Sequence, residues 1–254
     1  MIRVGVLGAA GRMGQEVRRT VASADDLELV AAVDPDHVGE NADGVQISGS
    51  VDALSDAGAE VAVDFTHPSA VKANVQWCLE HGVHIVVGTT GMTAEDIDDL
   101  RTVAEGAEAN CVIAPNFALG AVLLLRFAAE AARFFDAAEV IELHHDGKAD
   151  APSGTALATA RAIDAARAGD WSAPDAIGAD PSSRGADVDG VRVHAVRLPG
   201  LVAHEEVLFG GPGQVLTLRH DALDRSAFMP GVLLAVRSVA TRPGLTVGLD
   251  ALLD

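Results

Sequence analysis

Two of the nine histidines and one of only two lysines fall within five positions, at His144, His145 and Lys148. A patch of imidazole and ammonium in a chain of net charge −19 is a place to hold an anion, and no other segment concentrates cationic groups in this way. Adjacent residues of an extended strand point to opposite faces, so His144 and His145 share a site only where the strand breaks, and Asp146-Gly147 is a break signal. Downstream, Pro152-Ser153-Gly154-Thr155 reads as a helix entry, whose N–H groups and hydroxyl can hold a carboxylate. Two plainer readings compete. A His-His pair can bind zinc, but no third ligand stands at a suitable spacing, so no metal is expected. The segment can also be a solvated turn.

A second group of residues is chemical through its backbone. Gly8, Gly11 and Gly14 form GAAGRMG between a strand candidate and a helix candidate. Residues without Cβ let main-chain N–H groups approach a pyrophosphate, and the helix amino terminus adds a favourable dipole. The spacing G-x-x-G-x-x-G departs from the usual G-x-G-x-x-G, and the strand–turn–helix context restores the signal. Asp34 closes the next strand, 20 positions after Gly14, where a carboxylate accepts hydrogen bonds from an adenine-ribose diol and repels a 2′-phosphate. Arg12 offsets part of that repulsion. NADH is therefore expected to serve at least as well as NADPH. Gly88-Thr89-Thr90-Gly91 and Ala114-Pro115-Asn116-Phe117 each follow a buried strand and supply two further walls for a nicotinamide, or are plain turns.

The elements that position these groups follow from hydrophobic periodicity. Strands over 3–7, 27–33, 61–65, 84–87 and 111–113 alternate with helices over 11–24, 68–81 and 93–105, a doubly wound, Rossmann-like parallel α/β pattern. After Asn116 come a helix over 121–135, a strand over 140–144, a helix over 155–168 and a polar surface excursion over 171–190. Strands over 191–198, 203–209 and 215–220 and a helix over 226–240 follow. Strands without intervening helices predict antiparallel pairing, so the second domain is expected to be α+β with a mixed or antiparallel sheet. Cys78 and Cys111 sit in apolar stretches and are expected to be buried free thiols. The chain has 254 residues, 18 Lys+Arg against 37 Asp+Glu and 49% hydrophobic residues, enough for a real core. Its acidity argues against nucleic-acid binding. The longest apolar runs, such as 121–125, are far too short for a membrane span, and the amino terminus has no cleavable apolar segment, so a soluble cytoplasmic protein is expected.

GAAGRMG, VDFTHP, VVGTTG, APNFALG and ELHHDGKADAPSGTA, in this order, resemble the dihydrodipicolinate reductases of bacterial lysine biosynthesis, and the resemblance runs over essentially the whole chain. It implies a 4-hydroxy-tetrahydrodipicolinate reductase: a homotetramer that reduces a cyclic dicarboxylate with NADH or NADPH, with loss of water. It implies that His144 is the proton donor/acceptor, Lys148 a second proton donor, His145 a substrate contact, and Gly154 and Thr155 the carboxylate site. Gly8, Ala9, Ala10, Gly11, Arg12, Met13, Asp34, Gly88, Thr89, Thr90, Ala114, Pro115, Asn116 and Phe117 would hold the dinucleotide. It further implies a discontinuous cofactor domain over 1–116 and 225–254, with substrate binding and tetramerisation over 117–224. Gly147 departs from the pattern, because many relatives have a histidine there. So does Asp34-Pro35, which lacks the arginine some relatives use on a 2′-phosphate. A semialdehyde dehydrogenase would share the glycine turn without needing the histidine–lysine block, and a dinucleotide sensor would need the first domain alone.

Overall fold

A computed structural model describes residues 1–169, 171 and 181–253, so the segment 172–180 of the expected surface excursion lies outside the described residues. The chain divides into two compact units, Met1–Phe117 with Arg225–Asp254, and Ala118–Asp224. Phe117 belongs to the first.

The first unit begins β1 (Ile2–Leu7), α1 (Arg12–Ala22), β2 (Leu27–Val33), β3 (Asn41–Ala42), β4 (Val45–Ser48), α2 (Ala53–Asp56) and β5 (Val61–Asp64). It continues α3 (Pro68–Glu80), β6 (His84–Val87), α4 (Ala94–Glu105) and β7 (Cys111–Ile113). β5 and β7 are buried at every position, as strands covered on both faces must be. Helix starts are encoded locally. Pro68 enters α3 behind a His67 cap that accepts from the Ser69 N–H, and Thr93 forms a capping box with Asp96 before α4. Val71, Val75, Cys78 and Leu79 form the buried face of α3 against the sheet, and both cysteines are buried free thiols.

The second unit consists of α5 (Leu119–Ala131), β8 (Ala137–His144), α6 (Gly154–Ala166), β9 (Ala186–Val188), β10 (Val191–Arg197), β11 (Ala203–Gly211) and β12 (Gln214–Ala222). Its five strands run in the order β12-β11-β8-β10-β9. The expected pairing needs one correction. β10 runs parallel to β8, because α6 carries the chain across the sheet between them, and antiparallel to β9. The sheet is mixed, and β9 lies inside what read as surface excursion. α5 stops at Ala131 rather than at 135. Past that point Phe134 is exposed while Phe135 turns in against Phe209, with ring centroids 5.6 Å apart. Val140, Val193, Val207 and Phe209 meet Ala156, Ala160 and Ile163 in one apolar cluster.

The chain then returns to the first unit with α7 (Met229–Ser238) and β13 (Leu245–Val247), where a single helix over 226–240 was expected. Pro230 explains the delayed start: it lacks an N–H and tolerates only a first helical turn, so a 3-10 turn precedes Met229. Asn110 ties this segment down, donating to the carbonyls of Val239 and Ala240 and accepting from Gly244 N. The first sheet is then β13-β7-β6-β5-β1-β2-β4-β3. Its order reverses at β1, which pairs in parallel with both β2 and β5, and such a switch point opens a crevice beyond the carboxyl ends of its strands. No described helix is long and apolar enough to cross a membrane.

Candidate active site

At the switch point, the turn after β1 is held by its own backbone. Gly8 has a φ of +73°, and the N–H groups of Gly8 and Ala9 donate to the Val33 carbonyl. A Cβ on Gly8 would collide with the Phe65 carbonyl, and one on Gly14 with the carbonyl of Gly8. Gly11 caps α1 in extended conformation without a side-chain bond, which leaves that helix end to a ligand. Asp34 does more than the sequence suggests. Its Oδ2 accepts from Ala10 N at 3.0 Å, and its Oδ1 from Asp36 N at 3.2 Å beside His37 Nδ1 at 3.1 Å. Burial alone would raise this carboxyl, but the contacts from His37, Ala10 and Asp36 outweigh it and hold it below the usual range. Oδ2, with one donor, keeps acceptor capacity for a diol.

A cleft of about 350 Å³ brings Gly11, Arg12 and Met13 together with Gly88, Thr89 and Thr90. Its far wall is anchored by Asp64, a fully buried carboxylate with no local signal of its role. Asp64 Oδ1 accepts from Thr66 N, Thr66 Oγ1 and Thr89 Oγ1, and Oδ2 from Asn74. Gly88 is required because any Cβ there would enter the Phe65 ring. Phe65 in turn packs on Phe117, with centroids 5.9 Å apart. Ala114 and Phe117 are buried, Pro115 exposed and Asn116 half-buried.

In the second unit, β8 ends at His144. Glu142, two residues earlier and therefore on the same face, is fully buried and meets His144 Nδ1 through Oε2 at 2.5 Å. Arg197, the register partner of His144 on β10, grips Glu142 bidentately, Nη1 to Oε2 and Nη2 to Oε1, each at 2.7 Å. Ser153 N–H donates to Oε1 at 3.0 Å. Burial would push Glu142 up, yet Arg197, His144 and Ser153 together keep its carboxyl below the ordinary range. The His144 ring is lowered chiefly by burial, with the Lys148 and Arg197 cations adding to it against the pull of Glu142. A neutral ring that gives Nδ1–H to Glu142 leaves Nε2 for a reacting atom.

Lys148 lies close enough to act on His144 and donates to both oxygens of Asp150, at 2.7 and 2.9 Å. The expected cationic pocket is thus a set of paired charges, Arg197 with Glu142 and Lys148 with Asp150. His145 does not join His144. It lies past the strand end, exposed, and its carbonyl accepts from Lys148 N at 3.2 Å. A Cβ at Gly147 would stand 3.3 Å from the His145 ring, so glycine here gives that ring its room. Ser153 caps α6 by accepting from Ala156 N, and Gly154 and Thr155 form the first turn, with open space over Gly154. Arg197 escaped notice because only sheet register brings it to Glu142. Glu142 carried a usable signal, its i−2 spacing from His144.

A glycine turn at the switch point of a doubly wound sheet is the arrangement of a dinucleotide-dependent oxidoreductase, and the second unit holds a carboxylate-oriented imidazole beside a lysine, residue types suited to proton transfer. The family described as dihydrodipicolinate reductase matches twice, its N-terminal part over residues 2–117 and its C-terminal part over 120–253. The 4-hydroxy-tetrahydrodipicolinate reductase of Nocardia farcinica is 56% identical over all of this chain and 99% of its own, and that of Corynebacterium diphtheriae is 54% identical with the same coverage. Among solved structures, a dipicolinate-bound dihydrodipicolinate reductase from Paenisporosarcina sp. TG-14 superposes with a TM-score of 0.89 at 40% identity, covering 100% of both chains. An amine dehydrogenase from Mycobacterium smegmatis shares the fold alone, with a TM-score of 0.68 at 15% identity over 98% of this chain and 95% of that one. This chain belongs to the dihydrodipicolinate reductase family, whose members are oxidoreductases that use NADH or NADPH.

Proposed function

We propose that this chain reduces 4-hydroxy-tetrahydrodipicolinate with NADH or NADPH, with loss of water, giving tetrahydrodipicolinate on the route to diaminopimelate and lysine. The observation that carries the reading is the Glu142–His144 pair with Lys148 beside it, in a chain matched by the family over both units. The cleft fits the cofactor. It is formed at glycines whose Cβ atoms would collide with carbonyls or with Phe65, beside a helix end that has no side-chain cap. Gly8 to Met13 would hold the pyrophosphate, Asp34 the adenine ribose, and Gly88–Thr90 with Ala114–Phe117 the nicotinamide end. When bound, the nicotinamide supplies the hydride.

The chain's own residues supply the rest. His144 Nε2 gives or takes the proton that the reduced, electron-rich ring requires, and Glu142 fixes the tautomer that makes this possible. Lys148 offsets substrate carboxylate charge and is the second proton donor. The first turn of α6, at Gly154 and Thr155, receives one carboxylate, and His145 contacts the substrate. In this reading the protein works in the cytoplasm as a homotetramer. The test is NADH oxidation followed by absorbance with freshly generated substrate, where steady turnover is expected. A protein that binds NADH but never oxidises it in the presence of that substrate would overturn the proposal in favour of a dinucleotide sensor.

A further inference from the structure

Glu205 is 5% exposed and has no place in the chemistry above. On β11 it stands directly opposite Glu142 of β8, and on its other side opposite His220 of β12. Glu205, Val207 and Phe209 alternate as the buried face of β11, the same face on which β8 buries Ala138, Val140 and Glu142. Cross-strand partners have Cβ atoms about 5 Å apart, so two carboxyl groups share a buried space within one rung of the sheet. Their partners are unequal. Glu142 accepts from Arg197, His144 and Ser153, whereas Glu205 Oε1 is buried without a hydrogen-bond partner among the described residues. The Thr159 hydroxyl of α6 is also buried without a well-formed bond.

We propose that Glu205 is a positioning residue for the proton chemistry of His144: the presence or absence of a proton on its carboxyl sets, through Glu142, how tightly the His144 ring holds its own. Two neighbouring buried carboxylates do not both stay ionised. Glu142 has the donors to remain charged, so Glu205 is the one that keeps a proton. Burial pushes the Glu205 carboxyl up to about 7; the Thr159 hydroxyl pulls against it, and the Glu142 charge adds a smaller push. The groups facing it are Glu142 on β8, itself joined to His144 and to Arg197 of β10, and His220 on β12. From α6 the contact is the uncharged Thr159. His220 packs against Gly120 of α5, and burial lowers its pKa, so it is neutral where Glu205 titrates. When Glu205 releases its proton to water, Glu142–Arg197–Glu205 changes from net zero to net negative, and His144 gains proton affinity.

The inference rests on His144 being the proton carrier, so its test reads the ring itself as well as turnover. In the full-length wild-type protein with NADH bound, the His144 ring NMR signals should show a second inflection near neutrality, where Glu205 ionises. Glu205→Gln, which cannot ionise, should lose that inflection. The ratio of variant to wild-type kcat should fall about threefold to tenfold between about pH 6 and about pH 8.5, because His144 in the variant no longer gains affinity as pH rises. Identical ring titrations in the two proteins, or a kcat ratio flat with pH, overturn the coupling. A lost inflection in a protein whose His144→Ala variant keeps full turnover leaves the coupling standing and removes the role given to His144. If Glu205→Gln does not fold, the wild type decides the matter by infrared spectroscopy. A buried protonated carboxyl band that disappears as pH rises through neutrality supports the proposal, and its absence below neutrality ends it.

Discussion

The glycine-lined cleft of the first unit, proposed for the cofactor, and the Glu142–His144 cluster of the second, proposed for proton transfer, are built on opposite principles. In the first, main chain does the work: Gly8, Gly14 and Gly88 are where they are because carbonyls or the Phe65 ring occupy the space a Cβ would need, and Asp34 clamps the N–H of Ala10. In the second, the His144 and Arg197 side chains and the Ser153 N–H converge on one carboxylate, Glu142, which is fully buried. A backbone site fails by steric intrusion and tolerates most side-chain changes around it. A side-chain network fails when one partner is lost, because the others are left as uncompensated buried charge.

The largest effects should therefore fall in the second unit and on rate. His144→Ala and Lys148→Ala are each expected to lower kcat by about 10²- to 10⁴-fold, the usual worth of a positioned proton-transfer group, with NADH affinity nearly unchanged. Stopped-flow NADH binding alongside steady-state turnover measures both. Near-wild-type turnover in either variant removes that residue from the mechanism, and a parallel loss of NADH binding erases the separation between the two regions.

Arg197→Met tests the network for stability. It strands Glu142, fully buried, without its bidentate cation, and the cost should be about 3–5 kcal/mol in chemical denaturation. Glu142→Gln with Arg197→Met should recover part of that loss, since the buried charge goes with it. A single variant as stable as the wild type means that Glu142 takes up a proton instead. By comparison, Gly14→Ala should weaken NADH binding about tenfold or more, as α1 must shift away from the Gly8 carbonyl, while His144 keeps its ring titration.

The same contrast explains what could be read from the chain and what could not. A backbone site is local: GAAGRMG, the carboxylate ending β2 and the turn after β6 each lie within a few residues of a strand end, and composition reveals them. So do helix entries such as Thr93 with Asp96, and the buried stripe of α3. The network is non-local. Glu142 and Arg197 are 55 residues apart and meet only because β10 lies parallel to β8, the pairing that the run of strands concealed. Asp64 looks like the end of a buried strand until Thr66, Asn74 and Thr89 close on it. Elements of two to four residues, β3, β4 and β13, are too short for any periodicity, and β13 exists only through its register with β7.

Cofactor choice is the smallest of these effects, and it lies where backbone and charge meet. Asp34 has two separable functions: an acceptor for Ala10 N that shapes the turn, and a negative charge at the end of β2 that opposes a 2′-phosphate. Asp34→Asn keeps the first and removes the second. Wild type should use NADH at least as well as NADPH by kcat/KM, and Asp34→Asn should move the ratio toward NADPH by about fivefold, the equivalent of about 1 kcal/mol for like charges screened by water. Asp34→Ala should lower kcat/KM for both cofactors because the clamp on Ala10 is lost. His37 adds a pH dependence with a definite sign. Its hydrogen bond to Asp34 raises its pKa, so as pH falls the ring becomes a cation, offsets the carboxylate, and should shift wild type toward NADPH. That shift should vanish in His37→Ala. A strong NADPH preference in wild type at neutral pH would mean that Arg12, not Asp34, governs the ribose end of the cleft.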